Sequence, residues 1–166
     1  MDGTVALIGY MGSGKSTVGR VLARKLDRDF VDLDLEISRD EGRSIPRIFE
    51  KNGEAGFRKI EHHTLARVLK DPNEKVISCG GGVVTYPPNR RLLEHVPTVF
   101  LQEEMKILYV RTRGGGRPLR AESREEFERR YMDRLPHYRE FADLEIAARG
   151  RGPEQITGEI MAWLKQ

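Results

Sequence analysis

The sequence predicts an α/β protein, a parallel β-sheet with helices on both faces, and three observations carry that expectation. Short runs of strand length, residues 5–8, 30–34, 76–78, 98–101 and 144–146, recur between segments of helical period. The first run leads directly into Gly9-x-x-x-x-Gly14-Lys15-Ser16, the spacing of a phosphate-binding loop, and a helical pattern follows it. A length of 166 residues, 38% hydrophobic and 33% charged, suits one domain with a sizeable core.

In chain order, residues 5–8 are apolar throughout, as a strand buried on both faces requires. Val18, Val21, Leu22 and Leu26 give the first helix its apolar stripe, over about residues 15–26. Phe30-Val-Asp-Leu-Asp34 reads as a second strand ending in two aspartates, with a helix opening at Leu35 and breaking near Gly42. Ser44 as cap and Pro46 in the first turn start another helix. Residues 54–69 form a further one, with Phe57, Ile60, Leu65, Val68 and Leu69 spaced mostly by three and four. The third strand, 76–78, runs into Cys79-Gly80-Gly81-Gly82; helix 89–95 and strand 98–101 follow. Met105, Leu108 and Tyr109 mark a helix, whereas residues 111–124 are rich in Gly and Arg, lack periodicity and read as a mobile loop. Residues 124–135 are a charged helix ended by Pro136, and strand 144–146 and helix 156–164 close the domain.

The chemistry concentrates where such sheets collect ligands, at the carboxyl ends of the strands. Glycines let successive N–H groups, including those of Gly12, Ser13, Gly14 and Thr17, turn around a polyphosphate, and the next helix points its positive end at the same oxygens. Lys15 reaches the β- and γ-phosphates, and the Ser16 hydroxyl can ligate Mg²⁺. Asp32 and Asp34, two apart on a strand, share a face. One can hold Mg²⁺ through water while the other takes the proton of an acceptor hydroxyl; alternatively Asp34 caps the next helix. Ser78 sits where many phosphate-loop proteins place a magnesium-linked aspartate, which leaves the aspartate pair more to do.

Gly80, Gly81 and Gly82 allow close backbone approach to a small ligand, or a plain tight turn. Arg58, in the first turns of its helix, opposes the helix dipole. An acceptor carboxylate fits it, as does a salt bridge to Glu61 or Asp34. Residues 111–139 hold nine arginines against five acids, a solvated, salt-bridged surface for the most part. Arg117, followed by Pro118-Leu119, is set apart as the residue that swings in to neutralise a transferring phosphoryl group.

Composition excludes several classes. No apolar run approaches the roughly 20 residues of a membrane span, and the opening residues carry no leader pattern. One cysteine, Cys79, excludes an intrachain disulfide and suits a reducing cytoplasm. A net charge of +3, with acids interspersed, is too mild to argue for nucleic acid. The Asp-x-x-Gly and Asn-Lys-x-Asp motifs of a GTPase switch do not occur.

Taken in order, several motifs closely resemble the shikimate kinase family, within the nucleoside-monophosphate-kinase-like group of phosphate-loop proteins. They are Gly9-Tyr-Met-Gly-Ser-Gly-Lys-Ser16, Phe30-Val-Asp-Leu-Asp34, Ile48-Phe-Glu-Lys-Asn-Gly-Glu54, Phe57-Arg-Lys-Ile-Glu61, Val76-Ile-Ser-Cys-Gly-Gly-Gly-Val83, Arg117-Pro-Leu119 and Pro136-His-Tyr-Arg139. The resemblance implies a three-layer αβα fold with a five-stranded parallel sheet, a single domain over residues 1–166, a lid at about 112–124 and a substrate-binding region at about 34–61. It implies transfer of the ATP γ-phosphate to the 3-hydroxyl of shikimate, in chorismate and aromatic amino acid biosynthesis, by a cytoplasmic monomer. Lys15, Asp34 and Arg117 would be catalytic, and Ser16 and Asp32 would hold Mg²⁺. Gly12 to Thr17, Arg111 and Arg117 would bind ATP, with Arg111 packing against adenine. Asp34, Arg58, the Gly80–Gly82 backbone and Arg139 would hold shikimate, Arg58 and Arg139 gripping its carboxylate. Phe49 and Phe57 would wall the pocket and Glu61 would tether Arg58. The chain departs from the family in its glycine-rich lid and in Ala147-Ala148, which replaces an Asp-Thr that normally touches adenine. A gluconate kinase on the same scaffold, or a degenerate nucleotide-binding subunit, is the alternative.

Overall fold

The computed structural model describes residues 3–113 and 123–166. Five strands, β1 (Val5–Ile8), β2 (Asp29–Asp32), β3 (Lys75–Ser78), β4 (Thr98–Gln102) and β5 (Leu144–Ala147), form one parallel sheet in the order β2-β3-β1-β4-β5. The helices are α1 (Lys15–Leu26), α2 (Leu33–Glu41), α3 (Ile45–Lys70), α4 (Pro88–Leu93), α5 (Met105–Arg113), α6 (Arg124–Phe141) and α7 (Pro153–Leu164).

Two cores follow from the two-residue period of the strands. Val5 and Leu7 face α1 and α7 along with Val76, Val99, Leu101 and Ile146; Ala6 and Ile8 face the α2, α3 and α6 side with Ile77 and Phe100. Helices therefore cover both faces, giving three layers. β1 lies between β3 and β4, so the loop after it opens where the chain switches from one side of the sheet to the other.

Four local expectations change. β2 ends at Asp32, and Asp34 lies in the first turn of α2 rather than beside Asp32 on a strand. The cause is a cap: Asp32 Oδ1 accepts from the Asp34 N–H at 3.0 Å and the Leu35 N–H at 3.3 Å, so Asp32, not Asp34, starts the helix. The two segments expected at Ser44 and Glu54 run on as α3, broken only at Gly53, whose φ of 68° and ψ of 179° are non-helical. α5 continues through Arg111 to Arg113, so the non-periodic stretch starts later than expected. Finally, α6 passes through Pro136 to Phe141. Pro136 is exposed, and the turn beyond it buries Tyr138 and Phe141, so tertiary burial carries the helix past the missing N–H. A short 3-10 turn, Val83–Thr85, follows the glycine triplet and was not expected. Most of the anticipated 112–124 lid, and Arg117 with it, lies outside the described residues. Of the remainder, Thr112 and Arg113 are helical, and Ser123 caps α6 in a capping box with Glu126.

Candidate active site

A cavity of about 890 Å³ opens at the carboxyl ends of β1, β2 and β3. Its floor is the phosphate loop. Gly12 (φ 81°) and Gly14 (φ 93°) adopt left-handed backbone that a side chain would strain. α1 starts at Lys15 with no side-chain cap, so its first N–H groups are offered to an anion. Lys15 is buried, lines the cavity, and its Nζ donates to the Gly9 and Tyr10 carbonyls, at 2.8 and 3.0 Å.

Ser16 Oγ lies 3.4 Å from Asp32 Oδ2 and 3.3 Å from Ser78 Oγ. Asp32 thus divides its carboxylate: one oxygen caps α2 and the other turns toward Ser16. A hydroxyl and one carboxylate oxygen side by side fit Mg²⁺, which takes few protein ligands and keeps waters and phosphate oxygens. Among the described residues, no group of three or more His, Cys, Asp or Glu side chains forms an all-protein cage.

The far end of the cavity is built from side chains. Arg58 and Glu61, on one face of α3, pair at 2.9 Å, and Glu61 is fully buried. The glycine triplet makes this possible. A Cβ on Gly80 would fall 2.8 Å from Glu61 Oε2 and 3.0 Å from Asp34 Oδ1, and one on Gly82 would collide with the Arg58 guanidinium. None of the three has a left-handed φ, so close approach, not turn geometry, requires glycine here. Burial pushes the Glu61 carboxyl up and nearby Asp34 adds to that, while Arg58 pulls the other way. Phe49 and Phe57 stack at 4.4 Å as a wall. Tyr138, whose hydroxyl burial holds above its usual range, donates to the Gly81 carbonyl from α6. Cys79 is buried behind the triplet, its thiol pushed up to about 12 by desolvation, and is inert packing.

Of the residues singled out in the sequence, Gly12 to Thr17, Asp32, Asp34, Arg58, Gly80 to Gly82 and Arg111 line this cavity. Arg111 donates to the Gly12 carbonyl at 3.0 Å, beside buried Glu103. Ala148 and Arg151 line the cavity as well, with Arg151 held by the Ala147 carbonyl and Glu159. Arg139 does not line the cavity; it is exposed and pairs with Glu145 at 3.1 Å. Arg134 and Arg130 line it instead. The signal for Arg134 was present: it falls on the stripe Phe127, Tyr131, Tyr138 and Phe141 that α6 buries. Arg139 was assigned from the motif Pro136-His-Tyr-Arg139 rather than from that stripe.

A phosphate loop sharing one cavity with a buried arginine–glutamate pair, an aspartate and a glycine cradle defines a phosphate-loop kinase acting on a small acceptor. The family model for shikimate kinase matches residues 11–165. The shikimate kinases of Persephonella marina and Enterococcus faecalis are 37% and 39% identical, over 97% and 98% of this chain and 98% and 99% of theirs. Among solved structures, shikimate kinase from Acinetobacter baumannii in complex with shikimate superposes with a TM-score of 0.91 at 38% identity, over 97% of this chain and 92% of that one. The Aquifex aeolicus shikimate kinase gives 0.84 at 36%, over 98% and 96%. The chain belongs to the shikimate kinase family.

Proposed function

We propose that this chain transfers the γ-phosphate of ATP to the 3-hydroxyl of shikimate, giving shikimate 3-phosphate for aromatic amino acid biosynthesis. The observation that carries the reading is the acceptor end: Arg58, braced by Glu61 and laid on Gly82, stands in one cavity with Asp34 and the phosphate loop. Arg58 binds the acceptor carboxylate, and Arg134 takes the second cationic position earlier given to Arg139. Asp34 orients the acceptor hydroxyl and receives its proton. Lys15 draws charge from the β- and γ-phosphates, and Arg117 adds a second cation. Mg²⁺, held through Ser16 and Asp32, would supply charge neutralisation on the phosphates. Phosphoryl transfer passes through a loose transition state, so positioning and charge neutralisation do most of the work. Arg111 packs on adenine, and residues 34–61 are the acceptor-binding region of a single domain. The protein acts as a cytoplasmic monomer; no helix among the described residues is long and apolar enough to cross a membrane.

Coupled ADP release from ATP and Mg²⁺ tests this, with shikimate, gluconate or no acceptor. Release dependent on shikimate is expected. Release with gluconate alone would overturn the acceptor assignment, and no stimulated release from folded protein would leave only nucleotide binding.

A further inference from the structure

Arg130 has no part in the mechanism above, yet it lines the cavity one helical turn before Arg134. Tyr10, the second residue of the phosphate loop, holds it in place. That ring is 1% exposed and packs edge-on against Phe127 at 5.1 Å and Tyr131 at 5.4 Å, both on α6. Its hydroxyl accepts from Arg130 Nε at 2.7 Å, while the Arg130 and Arg134 guanidinium carbons lie 5.9 and 5.5 Å from its centroid. The same residue's carbonyl receives Lys15 Nζ at 3.0 Å.

Arg111, Arg130 and Arg134 all line the cavity. Arg134 stands at the acceptor end, where its charge acts on buried Glu61. Arg111 stands at the nucleotide end, on Gly12 and Glu103. Arg130 lines the same cavity, its Nε held by the second residue of the phosphate loop. An arginine anchored through Nε keeps its planar fork in one orientation, which suits phosphate oxygens better than a point charge does.

We propose that Arg130 is a further phosphate-contacting residue, oriented by the Tyr10 hydroxyl to bind the phosphoryl group as it passes from nucleotide to acceptor. The inference rests on the kinase reading above. It gives Tyr10 a positioning role and makes Arg130 a determinant of affinity for the phosphorylated product rather than for the acceptor.

Calorimetric titration of shikimate and shikimate 3-phosphate into the wild type, Arg130→Leu, Arg130→Lys and Tyr10→Phe provides the test. For Arg130→Leu, product affinity should fall about tenfold or more while shikimate affinity stays within about twofold. Arg130→Lys should recover part of the loss, and Tyr10→Phe, which keeps the charge and frees its orientation, should show a smaller loss with the same selectivity. A wild type that turns over normally, with Arg130→Leu losing both ligands equally or neither, overturns the inference alone. A wild type without shikimate-dependent turnover overturns the kinase reading and this inference with it.

Discussion

The two ends of the cavity are built on different principles. The phosphate end is built mainly on one contiguous stretch, residues 9–17, with its backbone N–H groups, two left-handed glycines and Lys15, and side chains such as Asp32 and Arg111 only reach in to it. The acceptor end draws Asp34 from α2, Arg58 and Glu61 from α3, the glycine triplet from the turn after β3, and Arg134 and Tyr138 from α6. A site made of four segments exists only once the whole α2–α3–α6 face has packed. Substitutions at the first should therefore damage catalysis; at the second, apart from the proton-accepting Asp34, they should damage selection of the acceptor.

The largest effects test that division. Lys15→Ala removes the loop's cation and should lower kcat about a thousandfold with the thermal midpoint barely changed. Asp34→Asn should cost about a hundredfold, chiefly in kcat. Near-normal turnover in either variant would remove that residue from the mechanism.

Next comes Gly82→Ala. The added Cβ must displace the Arg58 guanidinium from its buried seat, so KM for shikimate should rise about a hundredfold while KM for ATP stays within about twofold. Equal loss in both constants would mean that the two ends do not act separately. A paired comparison sharpens this further. Arg134→Ala should raise KM for shikimate by about tenfold to a hundredfold, whereas Arg139→Ala, which breaks only the exposed pair with Glu145, should change it less than twofold. The reverse ranking would restore Arg139 to the acceptor.

The same division explains what the sequence made legible. The phosphate loop and the strand–helix alternation are local patterns, and both read correctly. The glycine triplet was recognisable, but its reason was not: only the folded chain shows Gly80 against Asp34 and Glu61, and Gly82 against Arg58. Asp34 was assigned to the cavity from a strand, and it arrives there from the first turn of a helix because Asp32 caps that turn. Arg139 was given to the acceptor from the resemblance of Pro136-His-Tyr-Arg139, whereas Tyr138 and Phe141 carry α6 across Pro136 and leave Arg139 on its exposed face, with Arg134 on the cavity.

The smallest effect concerns pH, and it too belongs to the acceptor end. Glu61 has its folded carboxyl pKa raised above 4.5, first by burial, with Asp34 adding and Arg58 offsetting. Between that value and the folded one, native chains hold this proton more often than unfolded chains do. The group's contribution to stability is therefore fully present below 4.5 and is lost as pH rises through the folded value. Asp71, Glu126 and Glu154 are shifted downward by hydrogen bonds to backbone, Ser123 or Lys25, so their contributions fade only in more acidic solution. The window above about pH 5 consequently isolates Glu61 among these carboxyls. Thermal midpoints followed from about pH 5 to about pH 8 should decline in the wild type by a few degrees more than in Glu61→Gln. The informative quantity is the slope, because Glu61→Gln also alters the contact with buried Arg58 at every pH. Parallel slopes would mean that Glu61 stays ionised throughout, with the Arg58 pair outweighing burial at this end of the cavity.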